Sequence, residues 1–323
     1  MIRLTCVAVI VALLASPAAH AAEGSSVAGV SGGSDIGAAR LPPPGLYGAV
    51  IGAASRSRNF YDGQGNPAPF PVDLDFAGQS AALAFVYVPD VKVLGGSIGL
   101  IGAVSWGREC GRLFAFQPNR CATGFGDPYL ELSWSRFFGH MRPSAYSGAY
   151  PIAEGLSVQF GLGVLIPAGQ YDATAATTRG LSIGNNIWDI APMAAFTWMT
   201  PPLIAEGTEF SAKAYWNNYL TNDATAYRSG DLVTVDFAIT ERIGGLQVGL
   251  AGLYGRQIED DRQFGFTVPP DGRRVEGLSL GPVVSFDLPE LGGILKIKAL
   301  TSVLERNATR TEGVTVTYGM KLY

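Results

Sequence analysis

The sequence is poor in the residue types that usually build catalytic and metal sites. It contains 2 His and 3 Cys among 323 residues. His140 is the one histidine outside the N-terminal 21 residues, and we place it in a solvated turn. A Ser–His hydrolase or a His/Cys metal centre therefore has no support in the sequence. We expect no enzyme activity, no catalytic residue, no metal and no cofactor.

Long hydrophobic runs and a basic surface are also missing. After residue 21 the longest nearly unbroken apolar or glycine stretch is 91–104, and it contains Lys92 and Ser97. A membrane helix needs about 20 apolar residues, so we expect none. Lys and Arg number 23 against 27 Asp and Glu, which gives no reason to expect nucleic acid as a partner.

The N-terminus reads as an export signal. Arg3 precedes an apolar core at 7–15, and Ala19 and Ala21 form a small-residue cleavage site. The sequence therefore predicts a signal peptide at 1–21. Its removal would change the formal net charge from -4 to -5.

Glycine and alternating apolar residues are abundant. Gly occupies 42 of 323 positions, above the usual ~7%. Between 156 and 166 every second residue is apolar and most of the others are small or polar, which indicates a strand. Only a closed barrel lets strands satisfy every backbone group in lipid. An exported, apolar chain with this repeating pattern therefore predicts a transmembrane barrel in the bacterial outer membrane.

The fold class that we predict is all-β, a transmembrane antiparallel up-and-down β-barrel of about 12 strands. The candidate strands are 46–57, 80–88, 91–106, 126–138, 156–166, 188–198, 208–218, 231–243, 246–257, 275–288, 294–304 and 313–323. Gaps after even-numbered strands are mostly short and gaps after odd-numbered strands are mostly long. This asymmetry predicts short periplasmic turns, longer extracellular loops and both termini in the periplasm, with 139–155 as one long exception.

One face of the strands carries polar residues that we assign to the lumen, where water would solvate the ions. The pore-lining candidates are Glu131, Glu209, Lys213, Tyr215, Asp236, Lys296 and Lys298. Both signs of charge occur, which disfavours a strongly ion-selective porin. The alternative is a salt-bridged wall that only maintains the shape of the barrel.

Aromatic residues gather near strand ends, and they predict girdles at the membrane interfaces. The candidates are Trp106, Trp134, Trp188, Trp198, Trp216 and Tyr254. The alternative is that strand ends simply collect aromatics.

Residues 22–45 are Gly-, Ser- and Pro-rich and precede the barrel at 46–323. They are either a flexible tail with a rigid linker or a plug that folds back into the lumen. Cys110 and Cys121 share the loop after the third strand, and export makes a disulfide the expected state, with two free thiols as the alternative.

Several segments resemble the family labelled "MetA-pathway of phenol degradation". The segments that carry the resemblance are 41–47, Pro167 with Gly169, Tyr171 and Asp172, then 184–186 with Trp188, then 227–231, and Gly281 with Pro282. The resemblance implies a twelve-stranded outer-membrane channel for small, rather apolar molecules, often found with aromatic degradation pathways. It also implies an N-terminal segment that enters the lumen, and it supplies no catalytic residue. Cys110 and Cys121 are not part of the family pattern.

The leading hypothesis is a passive outer-membrane channel for uptake of small hydrophobic or aromatic compounds. The alternatives are a structural or adhesive barrel without transport and, third, an outer-membrane lipid hydrolase. The expected partners are outer-membrane lipid and lipopolysaccharide, a small apolar solute and the barrel assembly machinery. The solute, the direction of its exit and the oligomeric state stay open at this point.

Overall fold

The computed structural model describes residues 33–70, 72–173 and 181–323. The predicted signal peptide at 1–21 and residues 22–32 of the predicted N-terminal segment lie outside these ranges.

Twelve long strands make up most of the described chain. They are β1 Gly45–Tyr61, β2 Val72–Val88, β3 Gly96–Phe114, β4 Tyr129–Arg142, β5 Ile152–Leu165, β6 Asp189–Met199, β7 Thr208–Tyr219, β8 Leu232–Ile243, β9 Leu246–Gln257, β10 Glu276–Leu288, β11 Gly293–Arg306 and β12 Ala308–Lys321. Short strands at Lys92–Val93, Arg120–Phe125, Tyr227–Arg228, Arg262–Gln263 and Phe266–Thr267 and a 3₁₀ helix at Pro289–Leu291 lie in the connections. Among the residues described, no helix has the length and apolar character needed to cross a membrane.

The sheet closes on itself. Each long strand pairs antiparallel with the next one along the chain, and β1 pairs with β12 from Tyr47 opposite Lys321 to Tyr61 opposite Ala308. This closure confirms the predicted twelve-stranded up-and-down barrel. A closed sheet has no free edge, so the backbone ladder of the wall is satisfied from strand to strand within the chain.

Side chains alternate between the two faces as predicted. In β7, Glu209, Ser211 and Lys213 are buried on the inner face, whereas Trp216 is half exposed on the outer face. The same alternation puts Asp236 inside in β8 and Glu131 inside in β4. The polar face of the barrel therefore points inward.

Several strands are longer than their apolar alternation predicted. β2 begins at 72 rather than 80, β3 continues to 114 rather than 106, and β12 begins at 308 rather than 313. The added residues carry charges that pair across strands on the outer surface, as Arg56 does with Asp75 at 2.8 Å. Because both strand faces become polar there, the apolar pattern ends before the hydrogen-bonded ladder does.

The predicted long gaps shrink accordingly. The loop expected at 305–312 is a one-residue turn at Asn307, which has a positive φ of 46°, a conformation that asparagine tolerates. The exceptional periplasmic turn expected at 139–155 is confined to 143–151.

The disulfide between Cys110 and Cys121 is present, which confirms that prediction. The two cysteines do not lie in an irregular loop, however. Cys110 belongs to β3, and Cys121 belongs to Arg120–Phe125, which pairs back onto β3 with these two residues opposite each other. The bridge therefore ties a hairpin that extends beyond the barrel wall.

Candidate functional site in the barrel interior

The seven predicted pore-lining residues all lie on inward faces of the wall. Six of these residues are almost fully buried, and the side chain of Lys296 is 16% exposed. Partners from the protein surround these side chains in the structure, and their solvation by lumen water stays a prediction. Whether these residues line a conducting path stays a prediction.

A buried ion pair connects β4 and β7, which are three strands apart in the wall, through Glu131 and Lys213. The Lys213 ammonium donates to both carboxylate oxygens, at 2.9 and 3.1 Å. Tyr129 donates its hydroxyl to the same carboxylate at 2.7 Å, and Tyr215 lies 3.4 Å from it. The side chains of Glu131 and Lys213 are 1% and 5% exposed. Side chains of β4 and β7 therefore meet in a fully paired polar cluster inside the barrel.

Residues 33–40, which we call the lumen segment, run inside the barrel before β1 begins. Asp35 is fully buried, and its carboxylate accepts hydrogen bonds from Lys296 and Lys298 of β11 at 2.5 Å each. At the other end of the segment Arg40 forms an ion pair with Glu209 at 2.7 Å. Charged contacts therefore hold the lumen segment at both ends.

Backbone amides of the lumen segment bond to side chains of the wall. Gly37 donates to Glu209 at 2.7 Å, Ala38 to the Ser211 hydroxyl at 2.9 Å and Ala39 to the Thr197 hydroxyl at 3.0 Å. Gly33 and Ser34 both donate to Asp236, at 3.1 and 3.2 Å. Glu209 and Asp236 thus bind the lumen segment, a role that their strand positions alone did not indicate.

One apolar side chain of the lumen segment has an apolar counterpart on the wall. Ile36 packs against buried Ala238, Ala251 and Val283, together with Leu300. These residues come from β8, β9, β10 and β11, so they form one continuous patch on the inner face. We call this group the apolar patch.

At the end of the barrel with the short turns, hydrogen bonds to Glu206 join neighbouring turns. Glu206 accepts from the Ser144 hydroxyl at 2.8 Å and from the amides of Ala145 at 2.6 Å and Gly244 at 2.8 Å. Burial alone would raise the pKa of this carboxyl, but the donors outweigh burial and leave the pKa below its ordinary value. Turns 143–151, 200–207 and 244–245 are therefore connected through one carboxylate.

At the opposite end, polar atoms are buried without partners. Both carboxylate oxygens of Asp189, the hydroxyl of Tyr219 and the side-chain oxygen of Asn217 have no hydrogen-bond partner among the residues described. Asp189 and Tyr219 are opposite each other on β6 and β7, and Tyr219 packs on Ile187 and Leu232. Unused acceptors therefore lie beside an apolar cluster, a combination typical of small-molecule sites. We call these residues the outer cluster.

Hydrogen bonds to Asp261 connect the long loops near the outer cluster. The Asp261 carboxylate accepts from the Tyr227 hydroxyl at 2.5 Å, from Gln257 at 2.7 Å and from the Gly230 amide at 2.9 Å. Burial raises the pKa of Asp261. The bonds fix the small sheet formed by Tyr227–Arg228, Arg262–Gln263 and Phe266–Thr267 near the outer end of β8 and β9.

The six predicted girdle aromatics point outward in two groups. Trp134 and Trp198 lie near the short-turn end and stack on Phe160 and Phe210 at 6.4 and 5.7 Å. The other four lie toward the long-loop end: Trp106, Trp188, Trp216 and Tyr254. Their assignment to the two membrane interfaces stays a prediction.

Sequence reasoning missed Asp35 and Arg40 as site residues. They are two of the three charges between residues 22 and 40, and an acid and a base in so neutral a stretch were the available signal. His140 was placed in a turn, but it belongs to β4, with its side chain 68% exposed and 3.9 Å from Glu154. It has no nucleophile beside it among these contacts.

The closed antiparallel wall, apolar outside and polar inside, defines a β-barrel protein of the bacterial outer membrane. A family model described as "Putative MetA-pathway of phenol degradation" matches residues 57–318, and the chain belongs to that family.

Solved structures with the same fold are distant in sequence. The "COG4313 outer membrane channel from Pseudomonas putida F1" is 14% identical with a TM-score of 0.71, covering 88% of this chain and 98% of that one. The transport unit of the Escherichia coli autotransporter AIDA-I is 9% identical with a TM-score of 0.48, covering 89% of this chain and 92% of that one. No protein of curated function matches the chain.

Proposed function

We propose that this protein is a passive outer-membrane channel for small hydrophobic or aromatic compounds, and that residues 22–45 act as its plug. The observation that carries the proposal is the polar attachment of the lumen segment. Asp35 and Arg40 bind the wall through ion pairs, and the amides between them bind wall hydroxyls and carboxylates. Water can replace such contacts when the segment leaves, so the opened lumen would keep its polar groups solvated.

The apolar patch supports the solute class. Ile36 covers Ala238, Ala251 and Val283 in the closed barrel. Departure of the lumen segment would expose this patch inside an otherwise polar lumen. An apolar solute of similar size would then occupy the place of the Ile36 side chain, because burial of apolar area is favourable at about 25 cal/mol per Å².

The long loops support capture from outside the cell. Phe116, Phe264 and Phe266 lie on these loops with 72 to 79% of their surface exposed. Exposed aromatic side chains offer a first apolar contact. In this proposal a captured solute would pass the outer cluster at Asp189 and Tyr219 and then reach the apolar patch.

The wall charges support a path that does not select strongly by charge. Glu131 neutralises Lys213 within the wall. Departure of the lumen segment would expose charges of both signs, with Glu209 and Asp236 against Lys296 and Lys298. The family of the chain and its structural similarity to an outer membrane channel from Pseudomonas putida F1 agree with a channel function.

Conductance tests the channel. The mature protein and a variant without residues 22–40 would be compared by liposome swelling in arabinose and by single-channel recording. We expect little flux from the mature protein and a large increase after the deletion. Absence of flux from both proteins would remove the channel, and equal flux from both would remove only the plug.

A pair of matched substitutions tests the solute class. Val283→Thr makes the apolar patch polar at constant shape, and Val284→Thr makes the same change on the outer face of the same strand. We expect Val283→Thr to reduce accumulation of radiolabelled toluene by cells and Val284→Thr to leave it unchanged. Equal accumulation with both variants would contradict the assignment of the patch.

The second candidate is a structural or adhesive barrel that transports nothing. The buried ion pair of Glu131 and Lys213 favours this function, since such a pair stabilises the shape of the barrel whether or not solute passes through it. The deletion experiment separates the two functions. An enzyme is the third candidate, and exposed His140 at the short-turn end gives it no support.

A further inference from the structure

Outside the lumen, a polar cavity of about 210 Å³ lies at the outer rim of the wall, where β9, β10 and β11 meet the long loops. Three arginines, Arg256, Arg274 and Arg306, and the carboxylates of Glu276 and Asp271 line it. The lining residues therefore carry a net positive charge. We call this cavity the rim pocket.

The arginines keep donors free for a ligand. Arg306 uses one nitrogen on Glu276 at 3.0 Å, and Arg274 uses one on Asp260 at 2.7 Å. No salt bridge joins Arg256 to any residue in the described part of the chain. A guanidinium group presents five N–H donors in a planar fork, which matches the oxygens of a phosphate.

Hydrogen bonds fix several of the groups that line the rim pocket. Both oxygens of Glu276 are occupied, one by the Tyr254 hydroxyl at 2.8 Å and the other by Arg306. The Asn307 side chain donates to the backbone carbonyl of Arg274 at 3.0 Å. The fixed carboxylate of Glu276 lies opposite Arg256 and Arg306 on the neighbouring strands, so its negative charge reduces the repulsion between these arginines.

The position of the rim pocket along the barrel axis indicates the kind of ligand. Arg256, Glu276 and Arg306 are cross-strand partners that face outward. The next outward row toward the membrane centre is Tyr254, Leu278 and Leu304, which is apolar apart from one hydroxyl. Two residues along a strand span about 6.8 Å. The arginines thus lie directly beyond the expected hydrocarbon edge, on the side of the long loops.

We propose that the rim pocket binds a phosphate group of lipopolysaccharide in the outer leaflet, with Arg256, Arg274 and Arg306 as its ligands. The phosphates of lipid A lie at the boundary between hydrocarbon and water, where this row of arginines lies. The site is independent of transport through the lumen. It would fix the orientation of β9–β11 against the leaflet.

Binding of purified lipid A to the mature protein in detergent tests the proposal. The probes are lipid A with both phosphates, the same lipid A without phosphates, and inorganic phosphate. The double variant Arg256→Gln/Arg306→Gln removes two ligands. Arg112→Gln is the matched control, an outward-facing arginine on β3 that is paired with Asp73 at 2.7 Å. Heat-dependent migration on gels checks that each variant is folded.

We expect phosphorylated lipid A to bind the double variant at least tenfold more weakly than the wild type and to bind Arg112→Gln as the wild type does. Removal of the phosphates should weaken binding to the wild type by a similar factor. Equal loss in Arg112→Gln, or full binding of dephosphorylated lipid A, would overturn the proposal. Binding of inorganic phosphate as tight as that of lipid A would identify a free-anion site and overturn it as well.

Discussion

Replacement of Asp35 by asparagine removes the one charge that both Lys296 and Lys298 contact. The Asp35 side chain is fully buried and the Lys298 side chain is 5% exposed, so the two ammonium groups would stay in a poorly hydrated place without a counterion. Removing one partner of a buried ion pair costs about 3–5 kcal/mol. Asparagine still accepts one hydrogen bond, so we take the lower value of about 3 kcal/mol.

This loss of about 3 kcal/mol weakens the docking of the lumen segment on the wall. Each 1.4 kcal/mol changes an equilibrium tenfold, so about 3 kcal/mol raises the ratio of undocked to docked segment roughly 100-fold. Single-channel recording should show a corresponding increase in open probability for Asp35→Asn. Asp90→Asn is the control, because Asp90 is an exposed carboxylate in a short turn.

A triple variant separates docking energy from damage to the barrel. Asp35→Leu combined with Lys296→Met and Lys298→Met replaces the charges with apolar groups of similar volume, an exchange that is often neutral or stabilising. This variant should be as closed as the wild type. An unchanged open probability in Asp35→Asn, or an open triple variant, would refute the reasoning.

Three further changes test other parts of the structure. Lys213→Met leaves Glu131 buried without its cation and should cost about 3–5 kcal/mol of stability in thermal unfolding, whereas adding Glu131→Leu should restore most of it. Cys110→Ser should destabilise the outer hairpin by about 2–4 kcal/mol, which faster proteolysis of the hairpin in an intact barrel would show. Proteolysis as slow as in the wild type would contradict a stabilising role of the disulfide with Cys121. The lowered pKa of Glu206 means that its contribution is present above the ordinary pKa of 4.5 and is lost as the pH falls through the lower folded value. Glu206→Gln should therefore abolish an acid-induced increase in proteolysis of 143–151, and an increase that persists in this variant would exclude Glu206 as its cause.

The wall of the barrel follows from local pattern. Alternation in β7 separates Lys213 and Tyr215 from Ala214 and Trp216, and the structure puts these two sets on opposite faces. A period of two needs no knowledge of the partner strands, so strand number and inward residues were predictable. The strand extensions were not, because Arg56 and Asp75 are polar on the outer face and removed the apolar signal there.

The contacts inside the barrel were only partly predictable, because they join residues that are far apart in the sequence. Glu131 and Lys213 were placed in the lumen, but their pairing joins residues 82 positions apart, and the contacts of Asp35 with Lys298 join residues 263 positions apart. Strand phase shows which side a residue faces and not which residue it meets across the barrel. The lumen segment has no periodicity, so the sequence left its position open between a tail and a plug.

A reversible cross-link tests the central claim most directly. The Ala38 amide lies 2.9 Å from the Ser211 hydroxyl, so a short reducible cross-linker between cysteines at these two positions would join the lumen segment to β7. In a background with Asp35→Asn, Cys110→Ser and Cys121→Ser, the cross-linked protein should show no solute flux in liposome swelling, and flux should appear once a reductant breaks the bond. Equal flux before and after reduction would mean that solute does not pass where the lumen segment lies.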